Sequence, residues 1–256
     1  MRRIVTLLLA LVCLAACTKS PGSDALIVGT EAAFPPFESV ATDGSLEGFD
    51  IDLMRAFGAH IGREVTFSNR DFSALIPDLQ AGRIDAIASG MSRTEERAHV
   101  VLFSRPYARV ATGVLVSTQR VAGDAGLEAL EGDDVVIAVQ RKTTGEEKAE
   151  TRFPNAQIRV YDREVDAAAE VAAGRAHALV YDMVSIVNLH AQHPETTRII
   201  DAELGTELYA VALPLGSELA PALDAFLAAE TRPGGKVDEL LAKWLGDAER
   251  FRATEE

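Results

Sequence analysis

Residues 78–90, DLQAGRIDAIASG, lie without a gap on residues 170–182, EVAAGRAHALVYD. In each copy a helical pattern ends at glycine, Gly82 or Gly174, where a left-handed cap costs least, and a buried strand pattern follows. A second pair, Ile27–Glu31 and Ile137–Arg141, recurs in the same order. A doubled unit in fixed order points to two similar lobes rather than one large sheet.

The rest of the chain agrees with α/β lobes. Leu26–Gly29, Glu64–Phe67, Ile84–Ser89, Val135–Val139, Ile158–Tyr161 and Ala178–Tyr181 read as short buried strands. Between them Phe49, Leu53, Phe57 and Ile61 recur at helical spacing, as do Val165, Ala168, Ala169 and Ala172. Such alternation implies mostly parallel sheets flanked by helices. Tyr107–Val116 and Leu208–Leu213, β-branched and without helix signals, are the candidate crossings between lobes. Gly216–Trp244 reads as helical with no strand of its own, so it returns to the first lobe. The expected division is 26–106 plus 210–256 for lobe 1 and 112–204 for lobe 2, with hinge strands near 107–111 and 205–209.

The first residues stand apart. Arg2 and Arg3 precede an apolar run from Ile4 to Ala16, broken only by Thr6, which is the pattern of a secretory signal and is shorter than the ~20 residues of a membrane span. Its end, Leu14-Ala15-Ala16-Cys17, resembles a bacterial lipobox, so residues 1–16 are expected to be removed, Cys17 to carry lipid and residues 17–25 to form a tether. Both cysteines, Cys13 and Cys17, fall here, leaving the exported body without an internal disulfide. Loss of the leader takes the net charge from −14 to −16. With 39 acids against 25 bases and no basic block, the chain offers no face for nucleic acid. Its 48 % hydrophobic and 25 % charged residues are those of a folded domain.

In open α/β sheets ligands bind beyond the carboxyl ends of the strands. There the chain places Glu31 and Phe34, Phe72, Ser89 and Gly90, Ser92 with Arg97, Gln140 with Thr144, and Asp182. Arg97 offers a two-pronged bond to a carboxylate, aided by N–H groups at a helix start and the Ser92 hydroxyl, where Ser92 and Glu95 have capping-box spacing. Asp182 offers an acceptor for an ammonium group, and Phe34 and Phe72 offer flat apolar walls. An α-amino acid presents both charges. Each residue also has an ordinary reading: Arg97 paired with Glu95 or Glu96, Asp182 as a helix N-cap, the phenylalanines in the core, Glu31 as a surface acid. Phe37 and Phe49 are assigned to the core.

Six segments carry a resemblance: Gly29–Glu38, Gly48–Leu53, Asp71–Pro77, Ser92–Arg97, Phe103–Tyr107 and Lys243–Gly246. In this order they resemble the bacterial extracellular solute-binding proteins of ABC transporters for polar amino acids, family 3, over nearly all of 25–246. The resemblance implies a two-lobed periplasmic-binding-protein fold of type II. It implies that Arg97 binds the ligand α-carboxylate, with Gly90, Ser92 and the Thr144 backbone beside it, and that Asp182 accepts the α-amino group. It also implies that Phe34 and Phe72 sandwich the ligand, that Glu31 contacts its side chain and that Gln140 tunes specificity. Lys142 stands where relatives have glycine before a Thr pair, so its side chain either points to solvent or reaches an acidic ligand.

The expected protein is therefore a monomeric, lipid-anchored receptor in the periplasm or cell envelope, serving an ABC permease and its ATPase, with an amino acid as ligand and no cofactor. Glu31 and the acidic body favour a polar or cationic one, such as arginine, lysine, ornithine or glutamine. A rival is an enzyme resembling periplasmic cyclohexadienyl dehydratases on the same framework, with Glu31 as a cleft acid. A sensor module is the third reading, disfavoured by the lack of a second hydrophobic span. His190 and His193, without a third ligand, read as surface helix rather than a metal site. No nucleophile triad or phosphate loop falls at a strand end.

Overall fold

The computed structural model describes residues 25–202 and 204–253; the leader, Cys17 and the tether up to Asp24 lie outside the described residues. The first half runs β1 (Leu26–Thr30), β2 (Ala33–Phe34), β3 (Glu38–Val40), β4 (Leu46–Glu47), α1 (Phe49–Ile61), β5 (Val65–Asn69), α2 (Phe72–Gln80), β6 (Ala86–Ile87), α3 (Glu95–Ala98) and β7 (Leu102–Phe103). The long strand β8 (Ala108–Ser117) leads into β9 (Val136–Gln140), α4 (Thr144–Arg152), β10 (Gln157–Tyr161), α5 (Glu164–Ala172), β11 (Ala178–Asp182), α6 (Met183–Gln192) and β12 (Thr197–Ile200). The chain returns through β13 (Thr206–Tyr209) and β14 (Ala212–Leu213) to α7 (Ala220–Glu230), α8 (Lys236–Leu245) and α9 (Ala248–Phe251).

Two sheets result, with matching order. One is β5-β1-β6-β14-β7, the other β10-β9-β11-β8-β12. In each, the first three strands are parallel and the fourth, which arrives from the other half of the chain, is antiparallel. The repeat read from sequence is this correspondence: β1 matches β9, and β6 matches β11. Gly82 and Gly174 end their helices at φ 67° and 68°, the left-handed geometry that lets the chain turn straight from helix into strand. Where Ile84–Ser89 was expected as one strand, only Ala86–Ile87 is laddered, because Gly90 turns left-handed at φ 50° and ends the extended run early.

The crossings lie side by side, β13 pairing antiparallel with the start of β8 from Ala108↔Tyr209 to Ala111↔Thr206. Gly216–Trp244 is two helices rather than one, broken at Arg232–Gly235 by Pro233 and two glycines, and both pack on α1 in the first lobe. Two of the motifs meet there: Asp52 of α1 accepts from Lys243 Nζ (2.7 Å) and Trp244 Nε1 (3.0 Å) of α8. Phe37 and Phe49 are fully buried. Among the described residues no helix is long and apolar enough to cross a membrane.

The small sheet β2-β3-β4 is not readable from periodicity, its strands being two or three residues long. It wraps the start of α1, where Phe49 N–H donates to Pro36 O (3.0 Å) and Asp50 N–H to Phe37 O (2.9 Å). Gly48 makes this approach feasible: at φ 133° a Cβ would stand 2.2 Å from Phe37 O. Gly48→Ala is expected to lower stability by about 2–3 kcal/mol, combining a conformation closed to L-residues with a backbone clash. An unchanged denaturant midpoint would refute that account.

Candidate functional site

The carboxyl ends of the two sets of parallel strands face each other across a closed cleft. After β1, the Glu31 N–H donates to Ser89 Oγ (2.9 Å). Its carboxylate, 7 % exposed, accepts from Gln140 Nε2 at the end of β9 in the other lobe (2.8 Å). The Gln140 amide oxygen accepts from the Tyr181 hydroxyl (2.7 Å), so a chain of three side chains crosses the cleft. Burial raises the Glu31 carboxyl above its usual range, with the Gln140 bond opposing.

Arg97 makes the second crossing. Its guanidinium donates to Ser92 O (2.8 Å) in its own lobe and to Lys142 O (2.9 Å) in the other, and lies over the Phe72 ring, 5.3 Å from its centroid. It pairs with neither Glu95 nor Glu96. Asn188 Nδ2 adds a third link, to Pro35 O (3.1 Å). Asp182 ends β11 in the N-cap position of α6, yet its side chain makes no cap bond. Burial pushes its pKa up to about 7; the nearby Tyr209 hydroxyl opposes this, Glu207 adds to it, and Lys148 and Arg97 pull back.

Between the lobes lies a chamber of about 20 Å³, room for about one water, so admitting an amino acid requires them to part. Its lining contains Glu31, Phe34, Phe72, Ser89, Gly90, Ser92, Arg97, Thr144 and Asp182. Gln140 is held behind Glu31. Glu38, Thr143 and Tyr181 complete the lining and escaped the sequence reading: Glu38 lies among aromatics as if in a core strand, and Tyr181 closes an apolar run. A wider open groove of about 490 Å³ shares Phe72, Arg97 and Thr144 and runs out past Lys142.

The geometry changes two expectations, the α3 cap and the direction of two donors. Thr94, not Ser92, caps α3, its Oγ1 accepting from Arg97 N–H (3.2 Å); Ser92 is held extended by its bridge to Tyr209, leaving its hydroxyl out of the cap. Gly90 N–H donates to Asp50 (2.8 Å) and Ser89 Oγ to Glu38 (2.8 Å), so both donors point beneath the chamber rather than into it. Phe72 supports the Arg97 guanidinium, and Phe34, on the same chamber, packs on Phe37 at 5.5 Å and Tyr181 at 5.7 Å. Lys142 is exposed, its side chain at the rim of the open groove.

Thr144 stands in the first turn of α4, where N–H groups lack intrahelical acceptors. Histidine serves elsewhere, His190 Nδ1 bonding Thr197 Oγ1 (3.0 Å). Among the described residues no group of three or more His, Cys, Asp or Glu is placed to hold a metal.

Two α/β lobes on a paired-strand hinge, closing cation against anion over one chamber, define a two-lobed ligand-binding protein. The chain belongs to the bacterial extracellular solute-binding proteins, family 3, whose family profile matches residues 26–247. It is 28 % identical over 221 residues to "ABC transporter arginine-binding protein 1" of Escherichia coli K12, covering 84 % of this chain and 88 % of that one. It is 26 % identical over 223 residues to the "L-cystine-binding protein TcyJ" of the same strain, covering 86 % and 82 %. Among solved structures, the ancestral amino acid-binding protein AncCDT-1, "a precursor of cyclohexadienyl dehydratase", superposes with a TM-score of 0.76 at 33 % identity, covering 86 % of this chain and 95 % of that one.

Lys142 is the one described non-glycine residue at positive φ (62°), and it lends only its carbonyl to Arg97. Lys142→Gly is expected to stabilise the protein by about 0.5–1 kcal/mol, the left-handed penalty less the added chain entropy of glycine. A loss of stability in urea unfolding would show that the lysine side chain itself contributes.

Proposed function

We propose that this protein captures an α-amino acid between its lobes and hands it to a membrane permease driven by an ATPase. The observation that carries this reading is that Arg97 and Asp182, from opposite lobes, line one chamber. A carboxylate takes the Arg97 donors in place of Ser92 O and Lys142 O, and an ammonium group takes the half-buried Asp182 acceptor. Closing over the ligand removes water and strengthens both contacts. The lobes, 26–106 with 210–256 and 112–204, open about the hinge strands at 107–111 and 205–209.

The ligand side chain meets Glu31, with Glu164 beside it, both carboxyls raised by burial and Glu164 to about 7. A cationic or polar side chain relieves that accumulation of acid. The similarity to an arginine-binding protein agrees, and the cystine-binding relative makes cystine the natural competitor in a binding panel. The protein works as a monomer in the periplasm, held to the membrane through lipid on Cys17.

Glu31, with its raised carboxyl, is the feature a dehydratase would use as an acid. Asp182 weighs against this, because a substrate lacking an amino group leaves a half-buried carboxylate unpaired. Absence of new aromatic absorbance on incubation with prephenate or arogenate is the outcome expected of a receptor.

Calorimetric titration with arginine, lysine, ornithine, glutamine, cystine, glutamate and aspartate should show the tightest binding for a cationic ligand. Tight aspartate or glutamate binding with none for arginine would overturn the assignment. Arg97→Ala should weaken capture by at least about 100-fold, ~3 kcal/mol, with cooperative unfolding preserved. Retained affinity would remove the central role of Arg97.

Asp182 adds a pH dependence. Its raised pKa means the closed protein gains stability from the neutral acid at low pH and loses it as pH rises through about 7. A ligand ammonium binds the ionised form, so affinity should strengthen about thirtyfold between pH 5.5 and 8. Titrations that give a flat or falling affinity across this range would contradict it.

A further inference from the structure

At the floor of the chamber and just beneath it lie two carboxyls, Glu38 and Asp50, to which the reading above gives no ligand contact. Glu38 of β3 and Asp50 of α1 are both completely buried. The bonds from Phe49 N–H to Pro36 O and from Asp50 N–H to Phe37 O hold them side by side. Each acid spends one oxygen on the chamber floor. Asp50 Oδ2 accepts from Gly90 N–H (2.8 Å) and the Tyr107 hydroxyl (2.8 Å). Glu38 Oε1 accepts from the Ser89 hydroxyl (2.8 Å), whose oxygen in turn accepts from Glu31 N–H (2.9 Å).

The other two oxygens, Glu38 Oε2 and Asp50 Oδ1, are sealed from solvent and receive no donor. The two carboxyls accept from the successive residues Ser89 and Gly90, which places them together under one turn. The titratable groups that face the pair are acids and phenols: Glu31 after β1, Glu164 on α5, Tyr107 ahead of β8 and Tyr181 on β11. Two adjacent carboxylates without a cation cannot both stay ionised in such a place.

We infer that Glu38 and Asp50 share one proton at neutral pH, as an Oε2–H···Oδ1 bond, and that this proton positions the chamber turn 89–92 and the backbone of Glu31. One hydrogen fills both orphaned oxygens and leaves a single negative charge, spread over the bonds from Gly90 and Tyr107. Burial, with the charge of its partner, drives Glu38 well above the ordinary carboxyl range, and burial drives Asp50 to about 7, in agreement with the geometry. The pair titrates as a unit. It is a positioning pair, since its hydrogen bonds reach the turn that carries other chamber residues.

Raised carboxyls stabilise the fold while protonated and lose that contribution as pH rises through their folded values. Loss of the shared proton places a second charge under the turn, loosening Gly90, Ser89 and Glu31 together. Glu38→Gln replaces the O–H with a permanent N–H donor and keeps an oxygen for Ser89. It should therefore keep the turn in place from pH 7.5 to 9.5, whereas Glu38→Ala should loosen it and lose affinity at every pH.

The test uses the full exported body with three readouts: the infrared carbonyl band of protonated carboxylic acid, thermal unfolding, and titration with L-arginine. Only the last rests on the capture reading. The wild type should show a protonated-acid band at pH 7.5 that fades by pH 9.5 and is weaker in Glu38→Gln by the contribution of one carboxyl. Between these pH values its unfolding midpoint should fall and its arginine affinity should weaken by about tenfold beyond the loss that titration of the ligand's own α-ammonium imposes on both proteins, with less than about twofold further change in Glu38→Gln. Absence of the band, an equal alkaline loss in Glu38→Gln, or failure of that variant to fold would each overturn the shared proton. If arginine fails to bind the wild type at all, the capture reading falls while the band and the midpoint still decide the pair.

Discussion

The structure is organised around the cost of burying negative charge. Glu31, Glu38, Asp50, Glu164 and Asp182 sit where the sheets of the two lobes meet or just beneath, and the cation among the chamber residues is Arg97. Carboxylates so placed are tolerated only when hydrogen bonded, protonated or matched by a cation. Gln140 serves Glu31, backbone and hydroxyl groups serve the Glu38–Asp50 pair, and Asp182 is left with Tyr209 and distant charges. The acids thus divide into a set hydrogen-bonded within the protein and Asp182, whose side chain makes no cap bond.

The same constraint explains how closure is held. The polar links across the cleft come from Arg97, Gln140 and Asn188, and two of their acceptors are backbone carbonyls. Neutral acceptors for Arg97 are weaker partners than a carboxylate, so the arrangement is closed yet exchangeable. The strands that join the lobes, β8 and β13, lie side by side and antiparallel, from Ala108↔Tyr209 to Ala111↔Thr206.

Much of this was legible along the chain. Gly82 and Gly174 mark equivalent turns, and the run from Ile27 to Glu31 names a strand and the acid at its end. Six short motifs locate the cleft, and some serve the frame rather than the ligand. Asp52 ties α1 to Lys243 and Trp244, and Ser104 N–H pairs with Val211 O across the returning strand at 2.9 Å. Such contacts join residues far apart in sequence, so no local pattern shows whether a motif residue binds ligand or clasps another motif.

The sequence by itself determined the doubled α/β plan, the placement of Arg97 and Asp182 beyond strand ends and the acidity of the body, because helix and strand periods, glycine caps and residue charge are local properties. Tertiary structure alone decided that Ser89 and Gly90 turn their donors toward buried acids, that Thr94 rather than Ser92 caps α3, and that Phe72 backs Arg97. It also decided that Gln140 meets Glu31 across the cleft. Direction and protonation depend on which groups share a buried volume, and burial is set by the folded whole.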